Sequence, residues 1–170
     1  MEKAPHLYSE LVELLGQPGQ WRDRRHLQTL AWMVVGLIQS SCVNLPAWVP
    51  FVTGRARYAQ STQRRFARWL ANPRIEVQSL YSPLFQQALR EWGPHTLYLA
   101  LDTSMLWNQY CLIRLSLICR GRAVPVVWEV VEHGSSSVPH AAYEALLDAV
   151  PPLLPPQVKV VFLADESLGH

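Results

Sequence analysis

Apolar residues recur along this chain with two different periods, and the change comes at Pro94. Before it the spacing is helical. In "HLYSELVELLG", Leu7, Leu11 and Leu14 or Leu15 share a face, and Gly16 closes the run. From Arg24 to about Ser41, Leu27, Leu30, Ala31, Val34, Leu37 and Ile38 follow the i, i+3, i+4, i+7 pattern of one buried stripe. "NLPAWVPFVTG" predicts a proline-broken connector or short helix, ended by Gly54. "STQRRFARWLAN" predicts a helix capped by Ser61 or Thr62 and stopped at Asn72-Pro73. "IEVQSLYSPLFQQALREWG" predicts one more helix, kinked at Pro83 and ended by Gly93.

After Pro94 the runs are short, β-branched and partly alternating. "TLYLALD" and "QYCLIRLSLICR" predict two strands, the second setting Leu112 and Arg114 against Ile113 and Leu115. A turn at Gly121 leads into a third strand, "AVPVVWEVVEH". The link "RGR" is short enough to demand an antiparallel hairpin. "PHAAYEALLDAV" predicts a helix with Pro139 near its first turn, and "VKVVFLAD" a fourth strand. The order β-β-β-α-β returns the last strand through a helical crossover, the connection that joins parallel strands. The expected class is α+β, with a helical region over residues 1–93 and a mixed sheet over 94–170.

Composition agrees with a packed protein, since 49% of the 170 residues are hydrophobic and 16% charged. Charge sharpens the division. Residues 1–95 hold eleven Lys/Arg against six Asp/Glu, whereas residues 96–170 hold four against seven. A basic half ahead of an acidic half points toward nucleic acid or a membrane surface. The membrane is the poorer match. Residues 27–54 are uncharged, but their unbroken apolar core "LAWMVVGLI" is much shorter than the roughly 20 residues a spanning helix needs. Cys42, Cys111 and Cys119 are odd in number and lack CxxC spacing, and "MEKAPHLYSE" is no signal peptide. These features predict core thiols in a reducing cytoplasm.

Two sets of residues carry candidate chemistry. Asp102 follows "LYLAL" and Asp165 follows "VVFLA", each the first charge after a buried run. If the crossover sets the fourth strand beside the first, both acids lie at carboxyl ends of neighbouring strands, where open α/β sheets place their sites. Two carboxylates so close favour a cation between them, and Mg²⁺ prefers carboxylate oxygen and water. The alternative is that each acid simply solvates a strand end. Glu129 and Glu132 are candidates to support such a metal from behind. The second set is basic. "GRARYAQSTQRRFARWLANPR" holds Arg55, Arg57, Arg64, Arg65, Arg68 and Arg74 and no acid. Arg64, Arg65 and Arg68 gather on one side of a helix, with Phe66, Trp69 and Leu70 free to pack. Guanidinium forks suit phosphate oxygens, and phosphate contacts dominate DNA affinity; the alternative is a solvated helix face. His133, His140 and the serines 135–137 read as loop, and no P-loop or GxGxxG is present.

In order along the chain, "QRRFARWLANPRI", "LYSPLFQQALREW", "LYLALDTSMLW", "IRLSLICRGRAVPVVWEVVEHGSSS" and "VVFLADESLGH" resemble the N-terminal part of an IS4-like DDE transposase of bacterial insertion sequences. The resemblance runs from about Leu27 to Asp165. It implies a ribonuclease-H-like mixed sheet behind a helical DNA-binding region. It also implies Mg²⁺- or Mn²⁺-dependent cutting and joining of double-stranded DNA at transposon ends, with Asp102 and Asp165 as the first two acids of a metal-binding triad. Partners would be DNA and further copies of the chain or of the full-length enzyme, in a bacterial nucleoid-associated setting. Two features depart from the pattern. Glu166-Ser167-Leu168 stand where Arg-Gly-Phe is usual, and the third acid is expected on a helix beyond His170. The resemblance therefore implies a truncated, catalytically incomplete form. An alternative expectation is a non-enzymatic DNA-binding remnant or a regulator of the full-length transposase.

Overall fold

The computed structural model describes residues 3–17, 21–53, 58–90, 92, 95–136 and 138–164. They form two compact units, Met1–Leu80 and Tyr81–His170. The class is α+β, as the change of period predicts, with six α-helices and a four-stranded mixed sheet among the described residues. The division falls inside a helix, earlier than the change at Pro94.

The first unit holds α1 (Lys3–Gly16), α2 (Arg24–Ser40), α3 (Leu45–Trp48) with a 3₁₀ turn at Val49–Phe51, α4 (Ala59–Leu70), and the start of α5 (Val77–Ala88). Asp23 caps α2 by accepting the Arg25 backbone N–H at 2.8 Å. Ser41 ends the helix in a left-handed conformation (φ 52°), its N–H returned to the Leu37 carbonyl. Burial on α2 departs from a single stripe. Leu27, Ala31, Trp32, Met33, Val35 and Gly36 are buried, while Leu37 and Ile38 are exposed. The reason is that α2 packs against α1, α3, α4 and the 3₁₀ turn, so neighbours surround it until its last turn. On α1, Leu7 and Leu11 pack on this core, and Tyr8 stacks on Trp32 at 4.2 Å. Leu14 is exposed.

Gly36 permits the closest approach in this unit. A Cβ there would meet the Trp48 Cβ at 2.4 Å, a contact that neither partner can relieve by rotating a flexible tip. Gly36→Ala should therefore destabilise the chain by about 1–3 kcal/mol despite alanine's better helix propensity. Urea unfolding followed by tryptophan fluorescence checks this; an unchanged midpoint would contradict the close approach.

The second unit is a sheet in the order β3-β2-β1-β4, built from β1 (Thr96–Leu106), β2 (Tyr110–Cys119), β3 (Arg122–Glu132) and β4 (Lys159–Leu163). β1, β2 and β3 are antiparallel neighbours. Helix α6 (His140–Asp148) carries the chain across, and β4 pairs with β1 in parallel. The β2-β3 link is a two-residue turn, Arg120-Gly121, with both φ positive (49° and 75°), the backbone a type I′ hairpin requires. Along β2, Cys111, Ile113, Leu115 and Leu117 are buried, whereas Leu112 and Arg114 are only partly covered, which is the predicted alternation. Phe85 and Leu89 join this core together with Tyr143 and Leu146 of α6. That packing explains why the compact units divide within α5: its C-terminal part belongs to the sheet. Pro125, which has no N–H to give, sits on edge strand β3 beside a bulge, and its carbonyl accepts the Tyr81 hydroxyl.

No single helix among the described residues is long and apolar enough to cross a membrane. Helix α2 taken with α3 and the 3₁₀ turn has the length, but the two parts are bent by 92°. Of the three thiols, Cys111 is buried and Cys119 partly covered, as core thiols should be, and burial pushes the Cys111 thiol up. Cys42 is exposed in the turn after α2, against expectation.

Candidate nucleic-acid interface and acidic site

Helix α4 presents the central arginines. It begins at Ala59, two residues ahead of the expected Ser61 cap, and Tyr58 at its N-cap makes no side-chain capping bond. Thr62 and Phe66 are buried, so they define the inner face. Arg64 and Arg68 are exposed one turn apart, and the Arg68 Nε donates to the Arg64 carbonyl at 3.2 Å. Neither makes an ion pair among the described residues. Arg65 is half-buried, its guanidinium carbon 5.4 Å from the centre of the Phe66 ring. Its Nε and Nη2 are out of water and have no hydrogen-bond acceptor among the described residues. Trp69 packs and donates its indole N–H to the His26 carbonyl at 3.0 Å, tying α4 to the start of α2. Leu70 is exposed rather than packed.

Arg74 is exposed beyond α4, where its backbone N–H bonds the Asn72 side-chain oxygen at 3.1 Å. It borders a second hollow with Arg22 and His26. The fold thus gathers Arg64, Arg65 and Arg68 and sets Arg74 on an adjoining hollow that shares His26 with theirs. Arg55 and Arg57 lie outside the described residues.

Asp102 sits within β1 rather than at its end. The strand continues to Leu106 because β2 pairs with it throughout, from Leu99↔Leu117 to Leu106↔Tyr110. Only the parallel pairing with β4 stops short, at Ala100↔Leu163. Asp102 therefore lies just past the described end of that pairing. The β1-β4 register is constant: Thr96 faces Lys159 and Ala100 faces Leu163, 63 residues apart in each case. Asp102 and Asp165 have the same separation in sequence. Asp165 itself lies outside the described residues.

The partner of Asp102 is a residue that charge and motif reasoning did not assign to the site. Arg114, directly opposite on β2, donates Nη2 to Asp102 Oδ2 at 2.7 Å. Both side chains are partly open to water, at 34% and 53% exposure, so the pair adds only about 0–1 kcal/mol to stability. Hairpin symmetry was the available signal. A turn centred on Asn108 sets residues six before and six after it across from one another, which are Asp102 and Arg114.

No group of three or more His, Cys, Asp or Glu converges among the described residues, and the Asp102 Oδ2 is already held by a cation. Glu129 and Glu132 are exposed on β3, which β2 separates from β1 by about 10 Å in all. They do not reach Asp102. His133 Nδ1 accepts the Ser135 N–H at 3.2 Å, and His140, the first residue of α6, contacts Glu144 at 3.2 Å. Both histidines are thus engaged locally.

Comparison with known proteins returns no match: no family model fits the chain, and no curated protein or solved structure is significantly similar to it.

Proposed function

We propose that this chain handles double-stranded DNA as part of an IS4-like DDE transposase, with the helical unit binding the duplex and Asp102 and Asp165 contributing two of the acids of a metal-dependent strand-transfer site. The observation that carries the reading is the arginine face of α4. Arg64, Arg65 and Arg68 lie together there, without a carboxylate partner among the described residues. Cations held without anions suit a polyanion, and a phosphate backbone supplies one. The order β3-β2-β1-β4, with β4 parallel to β1, supports the ribonuclease-H-like reading of the sheet.

One observation favours the non-enzymatic alternative. Arg114 neutralises the first acid. In that reading the chain binds DNA as a regulator and Asp102 serves only the strand pair.

DNA binding and cleavage together test both readings. The purified chain should shift a duplex in a gel at low salt, and the affinity should fall steeply as salt rises. Arg64→Gln should lower the slope of log affinity against log salt by about 1. Asp102→Ala should leave duplex affinity intact and remove any Mn²⁺-dependent nicking of supercoiled plasmid. Absence of duplex binding at low salt refutes the proposal. Calorimetric Mn²⁺ binding that Asp102→Ala abolishes supports the metal site, and duplex binding with no Asp102-dependent Mn²⁺ binding selects the regulator.

A further inference from the structure

Beside α4 lies a cleft of about 430 Å³ whose walls come from the start of α2 and the C-terminal half of α4. Arg25, His26, Arg65, Arg68, Trp69 and Asn72 line it. The Trp69-to-His26 bond holds the two walls together. We infer that this cleft is a binding site for a phosphate oxyanion, occupied by one backbone phosphate of bound DNA.

Charge in the cleft is unbalanced. Its one carboxylate, Asp23, is spent locally. It accepts the Arg25 Nε at 3.0 and 3.1 Å, the Arg25 Nη2 at 2.8 Å and the Arg25 backbone N–H at 2.8 Å. These bonds hold the Asp23 carboxyl below the usual carboxylate range. Arg65 and Arg68 are left without an anion among the described residues.

A second observation is independent of charge. Two guanidinium nitrogens of Arg65, Nε and Nη2, are buried with no acceptor among the described residues. Buried donors are nearly always bonded, and an orphaned pair calls for an ion or water that completes it. Both nitrogens are turned away from water, so a phosphate in the cleft reaches this Nε–Nη edge, the fork that grips two oxygens at once, by a turn of the guanidinium. Contact with the Phe66 ring keeps this side chain at the wall of the cleft.

Continuity identifies the source of the phosphate. Arg68 lines this cleft and also the shallower hollow beside Ser61 and Arg64. A strand entering the cleft would continue along the exposed arginines of α4, where free phosphate would have no reason to extend. The inference rests on the DNA-binding reading above and adds to it Arg25, His26 and Asn72, which carry no such role there.

Calorimetric titration of the full chain with inorganic phosphate at constant ionic strength is the first arm. Anisotropy of a labelled duplex across a salt series is the second. Arg65→Gln and Arg68→Gln should each weaken phosphate binding about tenfold and lower the DNA salt slope by about 1. Arg65→Lys keeps the charge but loses the fork, and it should weaken phosphate binding too. That conservative variant decides the matter if Arg65→Gln fails to fold, as read by circular dichroism. Arg122→Gln, on the β2-β3 hairpin, should change neither readout. Phosphate binding that Arg65 and Arg68 variants do not alter overturns the cleft, and leaves the DNA reading standing if Arg64→Gln still weakens duplex affinity. Phosphate binding that depends on Arg65 while duplex affinity does not supports the oxyanion site and overturns the backbone as its source.

Discussion

Phe66→Ala should cost about 3–5 kcal/mol of stability and take DNA binding with it. Phe66 is fully buried in one core with Trp32, Met33, Val35 and Trp48, the Trp48 ring lying 6.1 Å away. Alanine would leave a void the size of a phenyl ring at the junction of α2, α3 and α4. These elements surround the site tightly, so little collapse can fill it. Phe66→Leu keeps most of the volume and should cost clearly less. The functional consequence follows from position. Arg65 lies against the Phe66 ring, so the group that anchors α4 also sets the guanidinium. Urea unfolding by tryptophan fluorescence, paired with duplex anisotropy below and above the midpoint, reads both effects. If Phe66→Ala melts with the parent chain, the core of the helical unit has been misassigned.

Leu99→Ala is the corresponding test of the sheet, with an expected loss of about 2–5 kcal/mol. Leu99 is fully buried on β1, which has a strand on either side, facing Leu117 of β2 and Phe162 of β4. Its deletion removes contacts on both flanks. Tyr98, one residue earlier, points to the opposite face and is 47% exposed. Tyr98→Ala should cost no more than about 1 kcal/mol. The contrast between adjacent residues is the sharper measurement, because a strand alternates its faces while a helix or loop does not. Equal losses at 98 and 99 would overturn the register. Asp102 shares the Tyr98 face of the same strand, so the register that buries Leu99 also turns the acid away from the core.

Much of this arrangement was legible in the chain. The change from helical to alternating spacing, the strand order β-β-β-α-β and the hairpin at Arg120-Gly121 all follow from local rules of period and turn chemistry. The α4 arginines were readable for the same reason: residues three and four apart on a helix share a side whatever else the protein does. Three features were not legible. The stripe on α2 was misplaced because a helix surrounded by four elements buries positions all around, which periodicity cannot anticipate. The division within α5 depends on Phe85 and Leu89 finding the sheet. Beyond these, the partner of Asp102 depends on the centre of a hairpin turn, since a shift by one residue would have set the acid opposite a different side chain.

The class, the elements and the chemical character of the two halves follow from the order of residues alone, because they depend on residue type and spacing over a few turns. Tertiary structure alone decided which charges meet. It joined Asp102 to Arg114 across a hairpin and set Arg25 and Arg65 around one cleft, leaving two nitrogens of Arg65 without an acceptor among the described residues. The physical reason is range: secondary structure is set within a few residues, whereas a charge finds its partner only after distant segments have packed.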